Sequence, residues 1–376
     1  MLHPGIQSIL AAVRAHGPDT QAYKALGNIY AARQDDLLIF NYTPLAVFGS
    51  VWNDVELVSR GLIVHWPTAT LRALPFPKFF NLDERPDTRL DALPAGPFEV
   101  TEKLDGSLAI HYRAADGPAI ATRGSFTSPQ ARWATAHLRA HHDLTGLPED
   151  VTLLFEIIYP DNPEGPVLRY GATEDLFLIG ARRSDGHDYG YDELERFANH
   201  YAFRLPRRVV VAHPRDLLPL RATEKNVEGC VERFANGLRV KVKTEDYLWL
   251  QRLATECTPA RIRDRLLLDA ATWDAFLLNL PDELQREAGA HATRIFSAVD
   301  AEEARIRAIF SGPLALYADD VAQRGPAARK AYALAVSATY AADAKYLFAL
   351  LDGKDIRLPL LRALELDALS PDATSE

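Results

Sequence analysis

EKLDGSLAI, residues 102–110, closes one alternating apolar run, PFEVTEK, and opens another, SLAIHYR. Period-2 alternation on both sides of an Asp-Gly pair predicts an antiparallel hairpin. On its own, Lys103 in such a run is a solvated lysine beside a turn. Five segments downstream change that reading: TRGSF (Thr122–Phe126), FEIIYPDN (Phe155–Asn162), LFLIGARR (Leu176–Arg183), VEGCV (Val227–Val231) and RVKVKTEDY (Arg239–Tyr247). Each puts a charge inside or at the end of an apolar strand. A plain core rejects charge there, whereas a sheet lining a polyanion pocket needs it. In RVKVK, Lys241 and Lys243 alternate with Val240 and Val242, so both lysines point to one face.

Working outward, the chain from about Asp36 to about Arg252 reads as short β-rich runs: LLIFNY, VELVSRGLIVHW, PFEVTEKLD, SLAIHYR, AIATRGS, TLLFEIIY, DLFLIGARR, RRVVVAH, VEGCVERF and LRVKVKT. Two helices are predicted among them. SPQARWATAHLRAHH has a Ser cap with Pro in the first turn, and YDELERFANHYAF has Asp192 as its cap. Beyond Thr255 the β-branched runs stop and apolar residues recur at helical spacing, as in TPARIRDRLLL, ATWDAFLLNL, PDELQREAGAHATRIF, PAARKAYALAVSAT and PLLRALEL. The fold class expected is α+β: an antiparallel-sheet domain over 1–254, then a smaller all-α domain over 255–376. The closing LSPDATSE is expected to fray.

The 376 residues are 48% hydrophobic, enough to bury a full core, and the net charge of −9 argues against a protein that coats nucleic acid nonspecifically. A local basic groove remains compatible with it. Cys230 and Cys257 make no CxxC and no zinc site, and the N-terminus reads as a short amphipathic helix rather than a leader, so a reduced cytoplasm and no membrane span are expected. His137, His141 and His142 share a predicted helix with no matching acid or Cys cluster, and read as surface or interhelix residues rather than a zinc site. No Gly-rich phosphate loop of the Walker or dinucleotide-binding type occurs.

In sequence and order, these segments resemble motifs I, III, IIIa, IV and V of the covalent nucleotidyltransferases, the ligases and capping enzymes. Upstream, VSRGLIV (Val58–Val64) and PFPKFFNLDE (Pro75–Glu84) resemble the segments that mark the bacteriophage RNA ligase 1 family. The likeness covers roughly Asp36 to Leu250. It implies that Lys103 attacks the α-phosphate of ATP and carries AMP as a phosphoramidate, helped by Lys241 and Lys243, which hold the phosphate and depress the amine's pKa. Glu228 is implied to position Mg²⁺, for which Mn²⁺ substitutes, directly or through water, and Glu156 to contact the ribose or the metal's water shell. Arg60 and Lys78 are implied as contacts to the β and γ phosphates. Asp105 and Gly106 are implied to shape the turn that presents Lys103 at the nucleotide, with Glu102 beside them, Arg123 to contact the nucleotide or the RNA, and Phe177 or a nearby apolar residue in LFLIG to pack on adenine unless Phe177 belongs to the core.

The activity so implied is ATP-dependent joining of RNA 5′-phosphate and 3′-hydroxyl ends, through lysyl-AMP and an RNA-adenylate, with tRNA as a candidate substrate and the helical domain choosing the RNA. Three rivals stay open. A GTP-dependent capping-type guanylyltransferase shares Lys103 and the downstream motifs. A DNA ligase is expected to carry a β-barrel after motif V, where this chain turns helical. A noncatalytic ligase-like RNA-binding protein would have no need to keep Lys103, Glu228, Lys241 and Lys243 together.

Overall fold

The computed structural model describes residues 2–366, apart from Ser50, 161–166 and Arg169. The expected frayed tail and the Asp161–Asn162 end of FEIIYPDN lie outside these residues. Contacts divide the chain into two units, 1–249 and 250–376.

The first unit holds twelve described strands in three four-stranded sheets. β1 (Ile29–Gln34), β2 (Leu37–Tyr42), β3 (Arg60–His65) and β4 (Thr70–Ala73) lie in that order in the first sheet. The second runs β10 (Asp175–Arg183), β9 (Val151–Ile158), β7 (Ser107–Ala114), β8 (Gly117–Ala121). The third runs β5 (Phe80–Asn81), β12 (Arg239–Lys243), β11 (Gly229–Phe234), β6 (Phe98–Lys103). All pairings are antiparallel except the short β5–β12 contact.

The helices of this unit are α1 (Pro4–His16), α2 (Pro44–Gly49), α3 (Asp54–Val58), α4 (Pro129–His141), α5 (Tyr191–Tyr201), α6 (Leu217–Thr223) and most of the first turns of α7 (Glu245–Glu256). α1 is the amphipathic helix expected at the N-terminus, and it buries Ile6, Ile9, Leu10 and Val13. Ser128 caps α4, accepting a hydrogen bond from Ala131 N at 3.2 Å. The cap of α5 is Gly190 rather than Asp192: Glu193 reaches back to Gly190 N at 2.9 Å, so the capping carboxylate comes from inside the first turn.

Two strand readings change. In VELVSRGLIVHW the first half is α3, because Asn53 forms a capping box with Glu56, and only the second half is β3. RRVVVAH makes no strand, only an isolated bridge from Arg208 to Thr101; β-branched composition is a preference for a packed pleat, which Val210, 89% exposed, does not have.

Period-2 alternation sets the layers. On β9, Leu153, Phe155 and Ile157 face the core under α4 and α5, while Leu154, Glu156 and Ile158 face the other way. On the third sheet, Val100, Phe234, Val240 and Val242 face an apolar cluster with Leu217 of α6, which leaves Thr101, Lys103, Val231, Lys241 and Lys243 on the opposite face.

The second unit is helical throughout its described residues: the end of α7, then α8 (Pro259–Leu266), α9 (Ala270–Leu278), α10 (Asp282–Ser311), α11 (Ala315–Arg324), α12 (Pro326–Thr339), α13 (Ala344–Leu351) and α14 (Arg357–Ala363). It has its own core around Ile262, Ile295, Ile306, Tyr332, Val336, Leu347 and Ile356. The division falls inside α7, five residues before the boundary expected from composition. Among the described residues no helix is long and apolar enough to cross a membrane.

Candidate nucleotide-binding site

A cavity of about 560 Å³ opens between the second and third sheets, lined by Lys103, Gly106, Leu108, Glu156 and Ile179 on one flank and by Arg60, Phe79, Arg123 and Lys241 among others. Lys103, Gly229 and Lys243 stand in one row across β6, β11 and β12. Glu228, the residue before that row, is buried, and both of its oxygens are used: Lys103 Nζ donates to Oε2 at 2.7 Å, and Lys243 Nζ lies 3.2 Å from Oε1. The sheet can close this tightly because position 229 is glycine. Its φ is +141°, and a Cβ there would collide with the Val242 carbonyl oxygen.

Two residues along β12, Lys241 sits on the same face, 4.8 Å from the centre of the Phe79 ring. Burial, followed by the charges of Lys78, Arg60, Lys103 and Lys243, lowers its pKa to about 7. Arg60 shares the Phe79 ring at 5.6 Å and is also lowered, chiefly by burial; its Nη1 is buried without a hydrogen-bonding partner among the described residues. Lys78 is lowered too, again mainly by burial, and lies 4.8 Å from the Phe80 ring centre. Arg123 donates to Tyr42 Oη at 3.0 Å. None of Arg60, Lys78, Arg123 and Lys241 has a carboxylate partner among the described residues. By contrast Arg233 and Arg239, which also line the cavity, are neutralised by Asp188, Arg239 in a two-pronged pair at 2.5 and 2.8 Å. The uncompensated positive charge therefore gathers around Lys241, where a polyphosphate would supply the missing anions.

Glu156 accepts a hydrogen bond from Gly106 N at 3.0 Å, and its pKa is pushed up to about 7, chiefly by burial, with Glu228 adding to the rise and Lys103 opposing it. Asp105 does not face the cavity as a ligand. It braces the turn: its carboxylate accepts from Tyr247 Oη at 2.9 Å and Leu168 N at 3.0 Å, while its own N donates to Tyr170 Oη at 2.7 Å. Gly106 is glycine because a side chain would meet the Ile157 carbonyl.

Two expected neighbours of the nucleotide are placed otherwise. Glu102 borders the cavity, but strand alternation turns its carboxylate to the far face, 3.7 Å from Arg207 Nε. Phe177 is the cross-strand partner of Glu156 yet packs with Leu104 and Ile158, with Arg204 over its ring at 4.6 Å, and it does not line the cavity. The bulge between Leu178 and Gly180 brings Ile179 to the cavity instead. Sequence reading missed the supporting aromatics. Phe79 is visible in PFPKFF only as an apolar letter, and nothing local marks Tyr170 or Tyr247 as braces for Asp105. The histidine cluster of α4 also changes status, since Asp175 of β10 lies against it.

A sequence profile of the RNA ligase family matches residues 58–255, from just before Arg60 to the end of α7. The chain belongs to the RNA ligase family. Over 200 residues it is 32% identical to a protein of Thermovibrio ammonificans provisionally named an RNA ligase, covering 50% of this chain and 51% of that one. The chain thus spans about half the length of that curated relative. Among solved structures, an archaeal ATP-dependent RNA ligase aligns at 14% identity with a TM-score of 0.47 over 82% of each chain. A protein of Aquifex aeolicus provisionally named an ATP-dependent DNA ligase aligns at 16% identity and a TM-score of 0.46, over 89% of this chain and 98% of that one. Every segment quoted for the family resemblance from Arg60 to Tyr247 falls inside the profile match, and the described helices of the second unit beyond α7 fall outside it.

Proposed function

We propose that this RNA ligase family member is an ATP-dependent RNA ligase that loads AMP onto Lys103 Nζ, passes it to an RNA 5′-phosphate, and joins that end to a 3′-hydroxyl with release of AMP. The observation that carries the reading is the pairing of Lys103 with buried Glu228 at 2.7 Å in the wall of a cavity whose unpaired cations cluster around Lys241. Lys103 Nζ is the nucleophile. Glu228 Oε2, which accepts the Lys103 hydrogen bond at 2.7 Å, takes the proton that the amine sheds as the N–P bond forms and pyrophosphate leaves. Arg60, Lys78 and Lys241 hold the triphosphate, and charge on the departing pyrophosphate is met by groups already in place.

Glu156 and Glu228 fit a divalent ion: both offer hard carboxylate oxygens, and a cation beside the buried Glu156, whose pKa is raised chiefly by burial and further by Glu228, would favour its ionised form. They would hold Mg²⁺, or Mn²⁺ in its place, which supplies charge neutralisation at phosphate oxygens. The helical second unit is assigned the choice of RNA, with tRNA as the candidate, and the setting is a reduced cytoplasm.

The test is incubation with Mg²⁺ and α-labelled ATP, or GTP in parallel, followed by denaturation. Label from ATP that persists in wild type and vanishes in Lys103→Ala is expected; Lys103→Ala should still seal pre-adenylated RNA. Label from GTP alone would turn the reading to capping chemistry, and no label from either would leave RNA binding without catalysis.

A further inference from the structure

Away from the nucleotide cavity, His137 and His141 end α4, and His142 follows as its cap. The pairing of β10 with β9 sets Asp175 beside them, with His137 Nε2 3.6 Å from Asp175 Oδ1. The ligand-type atoms of His137, His142 and Asp175 all lie within 4.8 Å of one another. The 3.6 Å between His137 Nε2 and Asp175 Oδ1 is close to the edge of about 3.4 Å expected between ligands standing about 2.1 Å from a tetrahedral ion, and the 4.8 Å bound leaves His142 within a small side-chain adjustment of it.

The imidazoles are set in advance. His142 Nδ1 lies 3.0 Å from the carbonyl oxygen of Tyr201. A carbonyl only accepts, so Nδ1 carries the hydrogen and Nε2 keeps its lone pair. That Nε2 is buried with no hydrogen-bonding partner among the described residues. A second-neighbour carbonyl that fixes the tautomer is the usual companion of a metal-bound histidine. The rings are also locked by stacking: His137 between Trp133 at 4.8 Å and His141 at 4.3 Å, and His142 on Phe203 at 4.2 Å. Asp175 is held by two further contacts. Arg204 Nη1 lies 3.6 Å from Oδ2, and Leu176 N donates to Oδ1 at 2.8 Å, which leaves Oδ1 lone-pair density for the imidazoles' side.

We propose that His137, His142 and Asp175 bind one Zn²⁺ ion, at a site separate from the one that serves the nucleotide. Two nitrogens and one oxygen are a donor set for Zn²⁺, whereas Mg²⁺ takes oxygen almost exclusively. The ion ties the end of α4 to the start of β10, and through His142 to the end of α5.

Full-length protein stripped with a chelator, re-exposed to Zn²⁺ and freed of unbound metal tests this by atomic absorption and by melting with and without Zn²⁺. One zinc per wild-type chain and a raised Tm are expected, both lost in His142→Ala and in Asp175→Asn, both kept in Glu228→Gln. Melting of the stripped proteins separates ligand loss from misfolding, and Asp175→Asn, which keeps the side-chain shape, carries the test if His142→Ala fails to fold. Wild type that holds no zinc, or zinc that survives both substitutions, overturns the proposal. So does zinc lost only in Glu228→Gln, which would put the ion at the nucleotide site.

Discussion

Lys241 shows what the site costs when no phosphate is bound. Its pKa of about 7 lies below the ordinary lysine value, so between about 7 and that value the unfolded chain holds a proton that the folded chain does not. Stability therefore rises with pH across that window, and below about 7 the cost of a charged, crowded lysine is present in full. Lys241→Met should stabilise the ligand-free protein at pH 6.5 by on the order of 2 kcal/mol while it cripples covalent AMP formation. Thermal melts against pH check the first part, and α-labelled ATP the second. Binding of a triphosphate restores the lysine's charge, so wild type should take up close to one proton on binding ATP at pH 8, seen by calorimetry in buffers of different ionisation enthalpy. Loss of that uptake in Lys241→Met but not in Glu156→Gln assigns it to the lysine. The residue types of this site were legible in sequence because the family order of charged strand ends is itself sequential. The magnitude was not, because it comes first from burial and then from four cations drawn from β3, β6, β12 and the segment before β5.

At the scale of elements, β11 holds the design of the third sheet. Its alternation puts Val231 and Arg233 toward the cavity and Glu232 into the apolar face, fully buried, with neither carboxylate oxygen partnered among the described residues. Burial alone raises the Glu232 pKa to about 7. A raised carboxyl favours the folded state only while protonated, so stability falls as pH climbs from the ordinary carboxylate range to about 7 and stays lower above it. Glu232→Gln should raise the Tm at pH 8 and leave it nearly unchanged at pH 5; an equal gain at both values would refute the assignment. Gly229→Ala acts differently. The added methyl meets the Val242 carbonyl at a φ that alanine resists, so β11 and β12 must part and the Lys103–Glu228–Lys243 cluster with them. A loss on the order of 3 kcal/mol or more, with AMP loading abolished, is expected from melting and labelling. VEGCV announces the glycine but not the collision, which involves the neighbouring strand.

Across the whole molecule, every residue assigned to nucleotide chemistry lies in the first unit, while the second has its own core. Tyr332, at 0% exposure in that core, donates to the Leu347 carbonyl at 2.9 Å and packs edge-on against Phe348. Tyr332→Ala should destabilise the second unit by about 3–5 kcal/mol and keep AMP loading on Lys103. Calorimetry that resolves the two units, alongside the labelling assay, checks this; loss of labelling with the first unit still folded would mean the catalytic parts are not confined there. The sequence alone determined the α+β class, the change to helices near residue 255, the facing of Lys241 with Lys243 and the family, because each is a periodicity or an order of letters along one chain. Tertiary structure decided the rest: that Glu228 is clasped by two lysines, that Glu102 and Phe177 turn away from the cavity, that RRVVVAH is no strand, and that Asp175 meets the α4 histidines. Those are distances between residues far apart in the chain, fixed by strand register and by what each buried charge can find to neutralise it.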